Sequence, residues 1–295
     1  MTELVAILVS AVVLGSIYGL VAVGMTLIYG VLRVFDMSQG SMVMVGGFVG
    51  WATLQSAHLG AVPAIGIAFA VTFVLGVATQ LISVQPLLGR IGFDFEMITF
   101  ITTFAVAMVL GNVALEVFGP RQRNVPPLVH GTLDVYHGVS LPWQSVAMVA
   151  VSIAAMVALW LFLARSRYGI AIRAVAQDPD AARLMGVPIR RMFPLVMGLA
   201  SALGGVAGVF LGAQFFASPT AGDLPLLMAL IVVVFGGLGS LPGTVYAAYA
   251  IGLTQSAAAV LIGTTWSLPI LYAVILVVLV VRPHGLAGHP SQARL

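Results

Sequence analysis

The chain has 295 residues, of which 61% are hydrophobic and only 7% charged, and its mean hydropathy is +1.13. Soluble domains carry roughly 25% charged residues, so a water-soluble globular fold is excluded and a membrane-embedded one is expected. There is no cysteine, and all 12 basic residues are arginine.

These absences remove whole classes of chemistry. Without cysteine there is no disulfide framework and no thiolate metal site. Without lysine the chain cannot supply the Gly-x-x-x-x-Gly-Lys-Ser/Thr loop that cradles nucleotide phosphates, nor a Schiff-base lysine. The pI near 9.6 reads as a signal of membrane topology, not of nucleic-acid binding.

Uncharged stretches cover residues 4–32, 37–89, 97–115, 135–164, 192–222 and 224–281. A helix needs about 20 apolar residues to cross a bilayer, and in lipid only helices and closed barrels satisfy their own backbone. Four stretches fit one crossing each and two fit two or three. The expected fold is all-α: one polytopic transmembrane bundle over residues 1–295 with eight or nine membrane elements.

The opening Met-Thr-Glu-Leu-Val has no basic n-region and no cleavage site, so it begins the first span and is not a removed signal. Small residues recur at helix-packing spacing: Gly15 and Gly19, Gly46 and Gly50, then Gly204, Gly208 and Gly212. Such faces let helices approach closely, within the chain or against a partner subunit.

Polar residues inside spans are costly and tend to face a bundle interior or an aqueous cavity. Thr99, Thr102 and Thr103 share one helix face, and Asn112 and Glu116 share another. Asn112, Gln255, Thr99 and Thr103 are the candidates for lining a pathway, although a threonine often only bonds its own backbone. No buried Arg–Asp pair is placed to hold a zwitterion, so a tight charged site is not expected. Residues 119–143 form an external loop with Arg121, Arg123, His130, Asp134 and His137. Its two histidines lack a third ligand, so no metal site is expected, and no catalytic constellation is present.

Residues 165–191 hold six of the 12 arginines. Asp178 suits an N-cap with Pro179 at the first helical position. Gly186 suits a helix C-terminus, and Pro188 follows. A short helix over Pro179–Met185 is predicted, too short to span and too polar for lipid. It is either an interfacial helix with its arginines on headgroups or a docking element for a cytoplasmic partner. Arginine-rich short loops face the cytoplasm. Placing residues 165–191 inside puts arginines 33, 90, 165, 167, 173, 183, 190, 191, 282 and 294 inside, Arg121 and Arg123 outside, and the N-terminus outside. The last stretch is interrupted at Gly236–Gly243 and again at Gly263–Pro269. It fits three short crossings, or one crossing with a re-entrant pair.

The run Arg173-Ala-Val-Ala-Gln-Asp-Pro-Asp-Ala-Ala-Arg-Leu-Met-Gly186 resembles the cytoplasmic "EAA"-type loop of ABC importer permeases. Gly15 to Arg33 resembles the first span of the branched-chain amino-acid (Liv-type) permeases. Val34 to Ser41 occupies a familiar segment with Asp36 and Gln39 in place of commoner residues. Phe235 to Gly243 and Val281 to Leu286 also match. The resemblance covers nearly the whole chain and is to the shorter, H-type permease.

It implies a multi-pass subunit of the cell (inner) membrane that translocates branched-chain or related amino acids by alternating access. A second permease, two cytoplasmic ATP-binding subunits carrying ATP and Mg, and an external solute-binding protein are the implied partners, besides membrane lipid. The chain itself would bind no cofactor and no nucleic acid, and would hydrolyse no ATP. Coupling to the ATPase falls on Arg173, Asp178, Ala181, Ala182 and Gly186. The alternatives are a stand-alone channel or secondary transporter for urea or a short amide, and an intramembrane enzyme, for which no catalytic dyad is found.

Overall fold

The computed structural model describes residues 2–57, 59–87, 95–129, 131–136, 139–282 and 285. Arg90, Arg294, His130 and His137 lie outside the described residues.

The apolar stretches fold as α1 (Thr2–Leu32), α2 (Gln39–Trp51), α3 (Ala61–Thr79), α4 (Phe95–Phe118), α5 (Trp143–Arg165), α8 (Ile189–Gln214), α9 (Asp223–Gly236), α10 (Leu241–Leu261) and α11 (Thr264–Val281). Two more helices, α6 (Arg167–Gln177) and α7 (Pro179–Leu184), make up the arginine-rich segment between α5 and α8. Among the described residues, six helices are long and apolar enough to cross a membrane. Counting the shorter α2, α9 and α11, nine apolar helices fit the expected eight or nine elements. The segment 119–143 is more ordered than a plain loop. Strands β1 (Thr132–Tyr136) and β2 (Val139–Pro142) pair antiparallel as a hairpin that leads into α5.

Two helices are half-length. α9 has 14 residues and α2 has 13. At 1.5 Å per residue α9 is about 20 Å long, short of the roughly 30 Å hydrocarbon core, and the α-helical part of α2 is equally short. α2 is extended by a π-helical turn over Ala52–Ser56. Each half-helix follows a full-length one through a non-helical link, residues 33–38 before α2 and 215–222 before α9. Irregular backbone is tolerated at membrane depth only where protein or a cavity surrounds it. The first link obeys this rule: Val34, Asp36, Met37 and Ser38 are all buried.

The packing repeats. α8 carries α2 and α3 along its length, and α1 carries α9 and α10 in the same way. α3 packs on α8 at Gly76 and Ser201, and α10 packs on α1 at Gly252 and Ala11. The chain is thus two similar helical units, α1–α4 and α8–α11, joined by α5–α7. The spaced glycines work inside the chain. A Cβ on Gly46 would meet the Gly205 Cα at 2.6 Å, one on Gly208 the Val43 carbonyl carbon at 2.8 Å, and one on Gly15 the Tyr249 ring at 2.6 Å. Between helices in lipid there is little hydrophobic drive, so this backbone-to-backbone approach supplies the van der Waals contact. Hydrogen bonds add to it. Thr244 Oγ1 donates to Ser240 O at 2.9 Å, which leaves Thr26 Oγ1 to donate to Thr244 Oγ1 at 2.7 Å across the buried α1–α10 contact.

The last stretch resolves into three helices, α9, α10 and α11. They turn at Gly237 and Gly239, both at positive φ, and again at Gly263 (φ 117°).

Candidate functional site

The arginine-rich segment is built from recognisable termini. Ser166 caps α6, its Oγ accepting from the Gly169 N–H at 2.8 Å. Ile172 and Val175 bury one face of α6, while Arg167 and Arg173 stay exposed on the other. Arg173 Nη2 donates to Ala164 O at 3.2 Å, satisfying a carbonyl in the last turn of α5. A basic group there also suits the negative end of that helix.

α7 begins as its residues predict. The Asp178 carboxylate accepts from the N–H groups of Asp180 (3.0 Å) and Ala181 (3.1 Å), with Pro179 in the first turn. The helix ends at Leu184, one residue before the expected Met185, in a Schellman arrangement. Val187 N–H donates to Ala182 O and Gly186 N–H to Arg183 O, both at 3.0 Å, with Gly186 at φ +84°.

The five sequence candidates therefore divide. Asp178 and Gly186 shape the helix ends, Arg173 ties α6 to α5, and Ala181 is exposed. Ala182 is buried against its own chain. Within the chain nothing lies within 4 Å of where a Gly186 Cβ would be, which leaves its backbone open on the surface. Its φ is what requires glycine. The outward surface of the turn belongs to residues outside those five. Leu184 is 88% exposed and Met185 85% exposed, beside exposed Arg183 and Asp180. Two large apolar side chains thus stand exposed at the tip of a short polar helix that lies outside the six long apolar helices.

Deeper in the bundle the two half-helices start side by side. A Cβ on Gly222 would overlap the Gly40 carbonyl, so the backbones touch. Gln39 Nε2 donates to Ala200 O at 2.9 Å, which fixes the start of α2 beside the middle of α8. Neither Ser38 nor Gly222 caps its helix with a side chain. Between these first turns and α4 lies a groove of about 580 Å³, lined by Ser41, Asn112, Thr220 and Asp223 among leucines, methionines and Phe104. Small-ligand sites run from roughly 300 to 1,000 Å³.

Of the four pathway candidates, Asn112 lines this groove. Its Nδ2 donates to Met108 O at 2.7 Å, leaving Oδ1 free. Thr99 and Thr103 are fully buried and do not line the groove. Thr103 Oγ1 accepts from the Met37 N–H at 3.2 Å and so anchors the α1–α2 link. Gln255 sits on α10, which supplies none of the groove residues. Asp36 steadies the same link: its Oδ1 accepts from Ser38 N (2.8 Å) and Ser38 Oγ (2.6 Å). The sequence reading missed Asp223, although a signal was present. It is the sole charged residue from 192 to 281.

Among the described residues no group of three His, Asp or Glu is placed to hold a metal. Short helices whose ends meet beside a partly polar groove are a construction of membrane transport proteins. The fold and groove place this chain in that class.

The chain belongs to the family described as branched-chain amino acid transport system / permease component, whose model matches residues 7–279. It is 27% identical to the high-affinity branched-chain amino acid transport system permease protein BraD of Pseudomonas aeruginosa, over 98% of this chain and 97% of that one. It is also 27% identical to the corresponding protein LivH of Escherichia coli K12, over 97% and 96%. The ribose import permease protein RbsC of E. coli K12 is similar over 82% of this chain and 74% of its own, at 27% identity. The chain is a multi-pass membrane protein of the permease type.

Proposed function

We propose that this chain is the membrane-spanning permease subunit of an ATP-binding-cassette importer for branched-chain or related aliphatic amino acids. ATP would be hydrolysed by two partner subunits on the cytoplasmic side, and an external binding protein would deliver substrate. A second permease would complete the pathway. The observation that carries this reading is similarity to the LivH and BraD permeases over nearly the full length of both chains. The capped α7, with Leu184 and Met185 held outward, supports it as the element an ATPase grips. A helix fixed at both ends and bonded into α8 through Val187 passes a push into the bundle instead of bending. With arginines 165–191 on the cytoplasmic side, α7 faces the compartment where ATP is available.

The test is co-expression with candidate ATPase, second-permease and binding-protein genes, followed by affinity purification and leucine uptake in proteoliposomes. The expected result is a complex that takes up leucine only with ATP. Leu184→Asp combined with Met185→Asp should release the ATPase while leaving the permease folded. Uptake of urea or a short amide by the lone chain without nucleotide would refute the proposal in favour of a stand-alone channel.

A further inference from the structure

We infer that the groove between α2, α4 and α9 holds the substrate during passage, with Asp223 taking the ammonium group of an aliphatic α-amino acid. This rests on the importer reading above and adds a site to it. Asp223 is the only charge in 90 residues of apolar chain, 192 to 281. An ionisable residue within a membrane-embedded stretch is a functional-site candidate. It has no ion-pair partner among the described residues, and its side chain is exposed to the groove it lines. An acid in the first turn also complements the dipole of α9, a role that an exposed carboxylate lining the groove can combine with ligand binding.

The surroundings select an amino-acid zwitterion over a bare cation. The free Oδ1 of Asn112 offers a second acceptor for the ammonium. Leu227, half exposed, and Met108 and Phe104 on α4 offer an apolar wall. The uncapped first turn of α2, at Gly40 and Ser41, lines the same groove and presents N–H groups that suit the carboxylate. Positive pole, negative pole and apolar side chain thus each find a counterpart in one cavity of about 580 Å³. A sugar has no ammonium for Asp223 to pair, and urea has no side chain for the leucines.

The experiment uses the complete importer in proteoliposomes and reads leucine uptake beside ATP hydrolysis. Asp223→Asn keeps the shape and removes the charge. Uptake should fall by about 10- to 100-fold, the range of one lost charge-assisted hydrogen bond, with ATP hydrolysis and subunit composition unchanged. Asp223→Glu should retain much more uptake than Asp223→Asn. Wild-type uptake in Asp223→Asn overturns the inference while leaving the importer reading intact. A wild-type complex that moves no aliphatic amino acid overturns the importer reading instead. Should Asp223→Asn fail to assemble, Leu227→Trp fills the groove from its other wall. Normal uptake by assembled Leu227→Trp overturns the inference as well.

Discussion

Replacing a glycine by alanine inside a helix ordinarily stabilises it by about 0.5–1 kcal/mol through reduced backbone entropy. In this bundle the sign should depend on which glycine is changed. At Gly66, in the middle of α3, nothing lies within 4 Å of the new Cβ, so Gly66→Ala should follow the ordinary rule. At Gly46 the Cβ would stand 2.6 Å from Gly205 Cα and 2.7 Å from its carbonyl carbon, against 3.4 Å for the start of ordinary contact. Both atoms are backbone, so no rotamer relieves the clash, and α2 must withdraw from α8 by most of an ångström. Overpacking costs about 1–3 kcal/mol, and a rigid backbone partner argues for the upper end. With the helix-propensity gain subtracted, the net destabilisation is about 2 kcal/mol. The assay is thermal unfolding of the detergent-solubilised protein, followed by loss of the monodisperse peak. Gly46→Ala should melt several degrees below wild type and Gly66→Ala at or above it. Equal melting temperatures for the two variants would refute the claim that the α2–α8 contact is limited by backbone approach.

Asp178→Ala should remove two N-cap hydrogen bonds and cost about 1 kcal/mol. Hydrogen exchange over residues 179–184 should rise accordingly, with protection in α8 unchanged. Thr26→Val removes a buried interhelical bond and leaves Thr244 bonded to Ser240. The loss should be about 0.6–1.7 kcal/mol in thermal unfolding, and Thr244→Val should add little to it in the double variant. Arg123 lies 5.0 Å from the Trp51 ring centroid and donates from Nη2 to Phe118 O at 2.9 Å. Arg123→Lys keeps the charge but loses the planar donor and should cost about 1 kcal/mol, again read by thermal unfolding.

Much of the architecture was legible because lipid imposes a coarse rule on composition. Long uncharged stretches had to become helices, and the number of elements followed from their lengths. The small-residue spacing was equally readable, since Gly46, Gly208 and Gly15 could do little else in a span than admit another backbone. The ends of α7 were legible for a different reason. Asp178, Pro179 and Gly186 act through local hydrogen bonds and dihedral angles, so no tertiary information was needed. What α7 presents to a partner was not legible. Ala182 and Leu184 are two residues apart on a six-residue helix, and only the packing of α7 on α8 decides which turns inward.

The half-helices escaped for a physical reason that also explains the missed site. Hydropathy sums over a window and cannot distinguish a full crossing from a link followed by half a helix, because both are apolar. The link at 33–38 is buried, and its polar groups are absorbed locally, Asp36 by Ser38 and the Met37 N–H by Thr103. Asp36 Oδ2 stays buried without a partner, but a single aspartate and serine in an apolar run do not announce a break in the helix. The groove inherits the same concealment. Its walls come from residues more than 180 positions apart, Ser41 and Asp223, brought together only because Gly40 and Gly222 let two backbones touch. Asn112 could be picked from its own helix as a polar residue needing a cavity. Asp223 offered only its isolation as the one charge from 192 to 281, because nothing in its neighbours reveals that it meets the start of α2.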